Sequence, residues 1–352
     1  MRIGLYDPYL DTLGGGEKYM FDAAVCFSQS HDVAFFWPEE QKEFIVKQAK
    51  ERFGLNIENV SFAGNVFNKK TSLLEKFLLT NKYDLIIYLS DGSIPFLFAK
   101  KNVLMFQHPV DWVKPGILTK IKLLKINKII CNSLFTKEHI DRTFNKDSLV
   151  VFPAAESVFE KGIKKENIIL SVGRFTASMN AKKQDVLIDI FIKFSKKMPE
   201  WKLILAGGIL DSDKEFLNSL KKKVGDFPIE LMPNVSRTEL ISLYNRSKIY
   251  WHGAGFGENI EKHPERTEHF GIATVEAMSA GCVPIIFAAG GQKEIVENNE
   301  NGLYWLTLEE LEEKTVSVIQ DKKMWEKLSL QAKEKAEQFS AKEFQQKLQS
   351  LL

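Results

Sequence analysis

The chain has 352 residues, 44% hydrophobic and 27% charged, with 48 Lys+Arg against 46 Asp+Glu and a formal net charge of +2. That length accommodates two ordinary domains, and the composition is that of a folded globular protein. So even a charge balance gives no case for a nucleic-acid partner, and no apolar run approaches the roughly 20 residues of a membrane span.

In chain order, Met1–Tyr6 is a short apolar run ended by Asp7-Pro8. It reads as a first strand and not as a signal peptide. Further strands are expected at Val33–Trp37, Val60–Phe62, Leu85–Leu89, Val103–Phe106, Lys128–Cys131 and Leu149–Phe152, with helical patterns between most of them. The alternation restarts at Ile168–Val172 and continues through Lys202–Ala206, Ile229–Met232, Lys248–Trp251 and Val283–Phe287. Strands alternating with helices predict two doubly wound parallel sheets. The polar stretch Glu156–Glu166 is a candidate linker, and beyond Leu306 the pattern is helical. Loops beyond the carboxyl ends of both sheets are expected to face a shared cleft. Cys26, Cys131 and Cys282 are odd in number and widely spaced. They read as reduced core residues of a cytoplasmic protein.

Lys114–Ile130 mixes Lys114, Lys120, Lys122, Lys125 and Lys128 with Ile and Leu. Such a stretch is ordinarily a surface helix resting its apolar side on the domain. The sharper alternative is attachment to the anionic inner face of a membrane.

Leu13-Gly14-Gly15-Gly16-Glu17-Lys18 follows the first strand. A glycine turn there lets Gly15 and Gly16 approach a ligand with their backbone, although Walker A spacing is missing. Gly253-Ala254-Gly255-Phe256-Gly257-Glu258 fails as a dinucleotide fingerprint because Glu258 stands where the third glycine is required. Asp211-Ser212-Asp213 precedes a helix and reads as its cap more simply than as a metal site. Gly173-Arg174 and Lys182-Lys183 lie after the strand ending at Val172, where Arg can fork onto a diphosphate and Lys can neutralise a leaving oxygen. His108 ends its strand at a position suited to a substrate hydroxyl; a lone His is more often structural. His252, His263 and His269 fit no metal spacing.

The richest stretch is Glu268-His269-Phe270-Gly271-Ile272-Ala273-Thr274-Val275-Glu276. Two carboxylates flank small residues that leave a helix N-terminus bare, which suits a phosphate. Acids on either side of a phosphate can hold the hydroxyls of a sugar nucleotide.

This stretch resembles the E-x7-E motif of the retaining glycosyltransferases with two Rossmann-like lobes, the GT-B fold, and of glycosyltransferase family 4 in particular. The likeness extends to Gly14–Lys18, Phe106–Pro109, Asn132–Thr136, Ser171–Phe175, Lys182 and Leu205–Gly208. It is tightest from Tyr250 to Val296, which is similar to lipid-linked-oligosaccharide α-1,2-mannosyltransferases. The resemblance implies an acceptor-side domain over 1–158, joined by the C-terminal helix 338–352, and a donor domain over 159–337. It implies that Arg174 and Lys182 bind the donor diphosphate and Glu276 the ribose. Glu268 would meet the transferred sugar, with Gly173 and the amides of Phe270, Gly271 and Ile272 around sugar and phosphate. His108 would contact the sugar, and Gly15 and Gly16 the donor phosphate or the acceptor. No metal is implied. The stretch Ala177–Ala181 is longer than in many members and blurs the choice between Lys182 and Lys183.

The implied reaction moves a hexosyl group from GDP-mannose or a UDP-hexose to a saccharide or lipid-linked hydroxyl. The alternatives are a non-catalytic binding protein of the same fold, and a GT-B sugar-nucleotide epimerase. The complete set His108, Arg174, Lys182, Glu268 and Glu276 speaks against the first.

Overall fold

The computed structural model describes residues 1–177 and 181–352 and divides into two compact units. One is Met1–Ala154 with Ala341–Leu352; the other is Ala155–Ser340. The stretch Ala177–Ala181 therefore lies partly outside the described residues, at 178–180.

The first unit holds a seven-stranded sheet in the order β3-β2-β1-β4-β5-β6-β7. Its strands are β1 Arg2–Tyr6, β2 Asp32–Phe35, β3 Ser61–Phe62, β4 Leu85–Leu89, β5 Lys101–Phe106, β6 Lys128–Cys131 and β7 Leu149–Val150. Every pairing is parallel. The β-branched and aliphatic runs of β4 and β5 are buried on both faces, as helices packed on both sides require.

The second unit carries a six-stranded parallel sheet in the order β10-β9-β8-β11-β12-β13. Here β8 is Glu166–Val172, β9 Lys202–Gly207, β10 Ile229–Pro233, β11 Ser247–His252, β12 Val283–Phe287 and β13 Leu303–Trp305. β13 was not expected. Its three residues are too few to set up a period, yet Trp305 is buried and its indole donates to the His252 carbonyl at 3.1 Å.

In each sheet the strand order reverses beside the first strand, at β1/β4 and at β8/β11. Ligands of such sheets bind beyond the carboxyl ends at that reversal. Arg174 follows β8 and His252 ends β11, so both stand at the reversal of the second sheet.

Two expectations are corrected. Glu156–Glu166 is not a free linker: the Val158 amide donates to Ser279 Oγ at 3.1 Å, and Asn245 both accepts from the Glu160 amide and donates to the Val158 carbonyl. Asp213 starts the helix Lys214–Val224 without a side-chain cap bond, because its carboxylate accepts from the Thr176 hydroxyl at 2.9 Å. The three cysteines are buried and unpaired. No helix is long and apolar enough to cross a membrane among the described residues.

Candidate functional site

Glu268 accepts from Lys182 Nζ at 2.8 Å and from His252 Nε2 at 3.1 Å, both on Oε2. Its Oε1 takes no bond from the described residues. Burial alone would raise this carboxyl's pKa, but the Lys182 ammonium and the His252 bond outweigh it and hold it well below the usual carboxylate range. Burial pushes the His252 imidazole down from 6.5, so the ring is neutral and donates through Nε2–H.

Two glycines let Lys182 reach this position. A Cβ on Gly173 would lie 2.5 Å from Lys182 Cγ, and one on Gly207 would lie 2.1 Å from the Gly173 carbonyl oxygen. Lys183 turns away in a left-handed conformation, φ 58°, and pairs with Glu258 at 2.6 Å. The half-buried Arg174 guanidinium has no hydrogen-bond or ion-pair partner among the described residues; its carbonyl accepts from Gln184 at 2.9 Å.

The helix Ile272–Ser279 begins at Gly271, whose φ is +114°. The first intrahelical bond runs from the Thr274 amide to the Gly271 carbonyl, so the amides of Ile272 and Ala273 carry no intrahelical bond. Behind them Gln292 is fully buried. It donates to the Phe270 carbonyl and accepts from the Thr274 hydroxyl, at 3.1 and 3.0 Å. The Gly291 amide donates to the Glu268 carbonyl at 2.8 Å. A Cβ on Gly291 would lie 2.1 Å from the His269 carbonyl oxygen, so only glycine admits this backing.

Glu276 is buried inside the same helix and accepts from Arg237 Nη2 at 2.8 Å. Arg237 also donates to Glu156 at 3.0 Å. Burial disfavours the Arg237 cation, yet the two acids hold its pKa above the ordinary value. The two acids of the motif thus have separate counter-ions.

The other candidates lie in the first unit. A Cβ on Gly16 would meet Gln107 Oε1 at 2.3 Å, and Gln107 Nε2 donates to the Gly16 carbonyl at 2.9 Å. The turn containing Gly15 and Gly16 is thereby tied to the segment bearing His108. His108 Nδ1 lies 3.0 Å from the Pro109 carbonyl, and its ring stacks on Trp112 with centroids 5.8 Å apart. Beneath the turn, burial and the neighbouring Glu17 push the Asp7 carboxyl well above its usual range.

The second unit therefore gathers Gly173, Arg174, Lys182, Glu268, Phe270, Gly271, Ile272 and Glu276. Sequence reading missed His252, Arg237 and Gln292 as contributors. His252 did carry a signal, its place at a strand's carboxyl end; Arg237 had none within its own segment. No group of three or more His, Cys, Asp or Glu able to hold a metal occurs among the described residues.

Known proteins frame this geometry. A GDP-Man:Man(3)GlcNAc(2)-PP-Dol alpha-1,2-mannosyltransferase of Dictyostelium discoideum is 25% identical over 237 residues, covering 61% of this chain and 45% of the relative. The chain spans less than half the length of the first curated relatives it matches. Among solved structures, an Anabaena protein in complex with UDP and glucose superposes with a TM-score of 0.73 at 18% identity, covering 99% of this chain and 98% of that one. A glycosyltransferase of Rickettsia africae superposes at 0.75 and 17%, covering 99% and 97%. These likenesses identify the fold as GT-B, with two Rossmann-like sheets and a helical C-terminal region. Residues 154–336, just over half the chain, match the family described as glycosyl transferases group 1, and the chain belongs to that family.

Proposed function

We propose that the chain is a retaining, metal-independent hexosyltransferase of family 4. Its donor is a nucleoside-diphosphate hexose, with GDP-mannose ahead of the UDP-hexoses, and its acceptor a saccharide or lipid-linked hydroxyl. The observation that carries this is the pairing of Glu268 with Lys182 and His252 at the strand reversal of the second sheet, where Arg174, with no side-chain partner among the described residues, follows β8. A half-buried arginine with no side-chain partner among the described residues and a lysine ammonium, both following the same strand, suit a diphosphate.

In the reaction, the bond from the sugar's anomeric carbon to the diphosphate oxygen breaks. A bond to the acceptor oxygen forms on the same face, and the acceptor proton passes to the departing diphosphate. Negative charge grows on the leaving group, and Arg174, Lys182 and the amides at the Gly271 helix end stabilise it. Glu268 accepts a sugar hydroxyl through Oε1, Glu276 grips the ribose, and His108 orients the sugar. Gly15 and Gly16 bring backbone close to the donor phosphate or the acceptor. The mannosyltransferase relative favours GDP-mannose; the UDP-bound neighbour keeps the uridine donors in view.

Thermal-shift titration with GDP, UDP, ADP and their sugars tests this first, because a ligand at a hundred times its Kd stabilises by about 2.7 kcal/mol. A shift by one nucleoside diphosphate, undiminished by EDTA, is expected. Absence of a shift with every nucleotide at millimolar concentration overturns the donor assignment. Donor incubated without acceptor separates transfer from epimerisation, since an epimerase would produce the epimer.

A further inference from the structure

The first unit carries an exposed apolar surface to which no role in the transfer reaction has been assigned. The helix Leu73–Thr80 exposes Leu73, Leu74, Phe77, Leu78 and Leu79, and only Thr80 of its eight residues is buried. Leu74 is 67% exposed. The helix is nevertheless well built: Ser72 caps the Glu75 amide, and the Glu75 carboxylate accepts from the Ser72 amide and hydroxyl. Its order without burial is unusual, since most helix stability in proteins comes from packing an apolar face.

A second helix, Ile117–Leu123, behaves alike. Ile117 is 81% exposed, Leu124 is 80%, and Leu118, Ile121 and Trp112 are also open; within the helix only Leu123 is buried. The ordinary expectation for Lys114–Ile130 thus holds in part: Leu123, Ile126 and Ile129 rest on the domain's core, while Ile117, Leu118, Ile121 and Leu124 do not. The two helices are linked through aromatic rings. Phe77 meets Phe98 at 5.3 Å between centroids, Phe98 stacks with Phe96 at 6.4 Å, and Lys122 Nζ lies 5.2 Å over the Phe96 ring. Phe96 and Phe98 thus join the two exposed apolar segments, one through Phe77 and the other through Lys122.

Charge selects the occupant. Residues 69–82 and 112–125 carry the eight lysines Lys69, Lys70, Lys76, Lys82, Lys114, Lys120, Lys122 and Lys125 against one acid, Glu75. That acid is already engaged with Ser72. Asp111, just outside, pairs with His139 at 2.8 Å. A second copy of the chain meeting this face would set the same lysines against one another, and like charges brought together repel. An anionic lipid surface offers both complements at once: acyl chains for the leucines and aromatics, head-group phosphates for the lysines.

We infer that the face formed by Leu73–Thr80, Phe96, Phe98 and Trp112–Leu124 docks the protein onto an anionic bilayer. Leucines and phenylalanines enter the head-group boundary, and the flanking lysines meet the phosphates. The inference stands apart from the donor chemistry of the second unit.

Cosedimentation with phosphatidylcholine vesicles, with and without phosphatidylglycerol, tests it. Binding to the anionic vesicles is expected to exceed binding to the neutral ones by at least about tenfold and to fall steeply with added salt. Leu74→Glu with Leu78→Glu, and separately Lys120→Glu with Lys125→Glu, are each expected to lower binding about tenfold. All four positions are exposed. Retention of the wild-type thermal midpoint and of the nucleoside-diphosphate shift by both variants shows that folding and the donor site are intact. Equal binding to both vesicle types, no binding to either, or binding unchanged in both variants overturns the inference. So does self-association, measured by light scattering, that the leucine variant abolishes, which would assign the face to a second copy.

Discussion

At the residue scale, Glu268 decides how the site behaves. Desolvation alone would raise its pKa, and Lys182 and His252, sharing one of its oxygens, outweigh that and hold it charged. Lys182→Ala and Arg174→Ala are each expected to cut turnover by at least about a hundredfold, the usual loss when charge stabilisation at a leaving group is removed. Near-normal steady-state rates in both would sink the assignment. Arg237 is expected to act through Glu276. Glu276→Ala and Arg237→Ala should each weaken nucleoside-diphosphate binding about tenfold in calorimetry, while Arg237→Lys, which keeps the charge, recovers part of it. Unchanged affinity in Glu276→Ala argues against its ribose role. The pH dependence has a defined sign. The folded pKa of His252 lies below 6.5, so the unfolded chain binds more protons there. Its contribution to stability is complete above about 6.5 and is lost as pH falls. Glu268, also depressed, loses its contribution only at lower pH, below about 4.5. His252→Gln should therefore flatten the fall in thermal midpoint between about pH 6.5 and 5; an unchanged slope removes His252 from the account.

At the scale of elements, the turn into the helix Ile272–Ser279 is the least replaceable piece of backbone. Gly271 has φ +114°, and a Cβ there would lie 1.8 Å from Gln292 Nε2. Gly271→Ala should cost about 1–3 kcal/mol in denaturant midpoint from strain and clash together. Gly208→Ala meets nothing within 4 Å and serves as the control. A Gly271→Ala protein as stable as the control would mean that Gln292 moves aside. The strand runs themselves were legible. Leu85–Leu89, Lys128–Cys131 and Val283–Phe287 stand as expected, since continuous apolar runs bounded by turns suit strands buried on both faces. Leu303–Trp305 was not legible, because its identity comes from pairing with β12.

At the scale of the molecule, the chain leaves the first unit after Ala154 and returns to it at Ala341. The returning helix Ala341–Gln349 puts Phe344 against Tyr19, with ring centroids 4.9 Å apart, and buries Leu348 in the first unit's core, where Leu351, just past the helix end, is buried too. Phe344→Ala should destabilise the first unit by about 3–5 kcal/mol, seen as a separated early calorimetric transition. The nucleoside-diphosphate shift of the second unit should persist. Its loss would mean that the two units do not fold as separate cores.

The sequence alone determined the alternation of strands and helices, the restart near Asn167 and the residue types of the E-x7-E stretch. These follow from local periodicity and from motifs that a dozen residues contain. The tertiary structure alone decided which charges meet. Lys182 reaches Glu268 across 86 positions, and Arg237 reaches Glu276 across 39. It also decided which apolar faces stay uncovered. Ion pairs and burial depend on where the sheet brings distant segments together, and no local period records that placement.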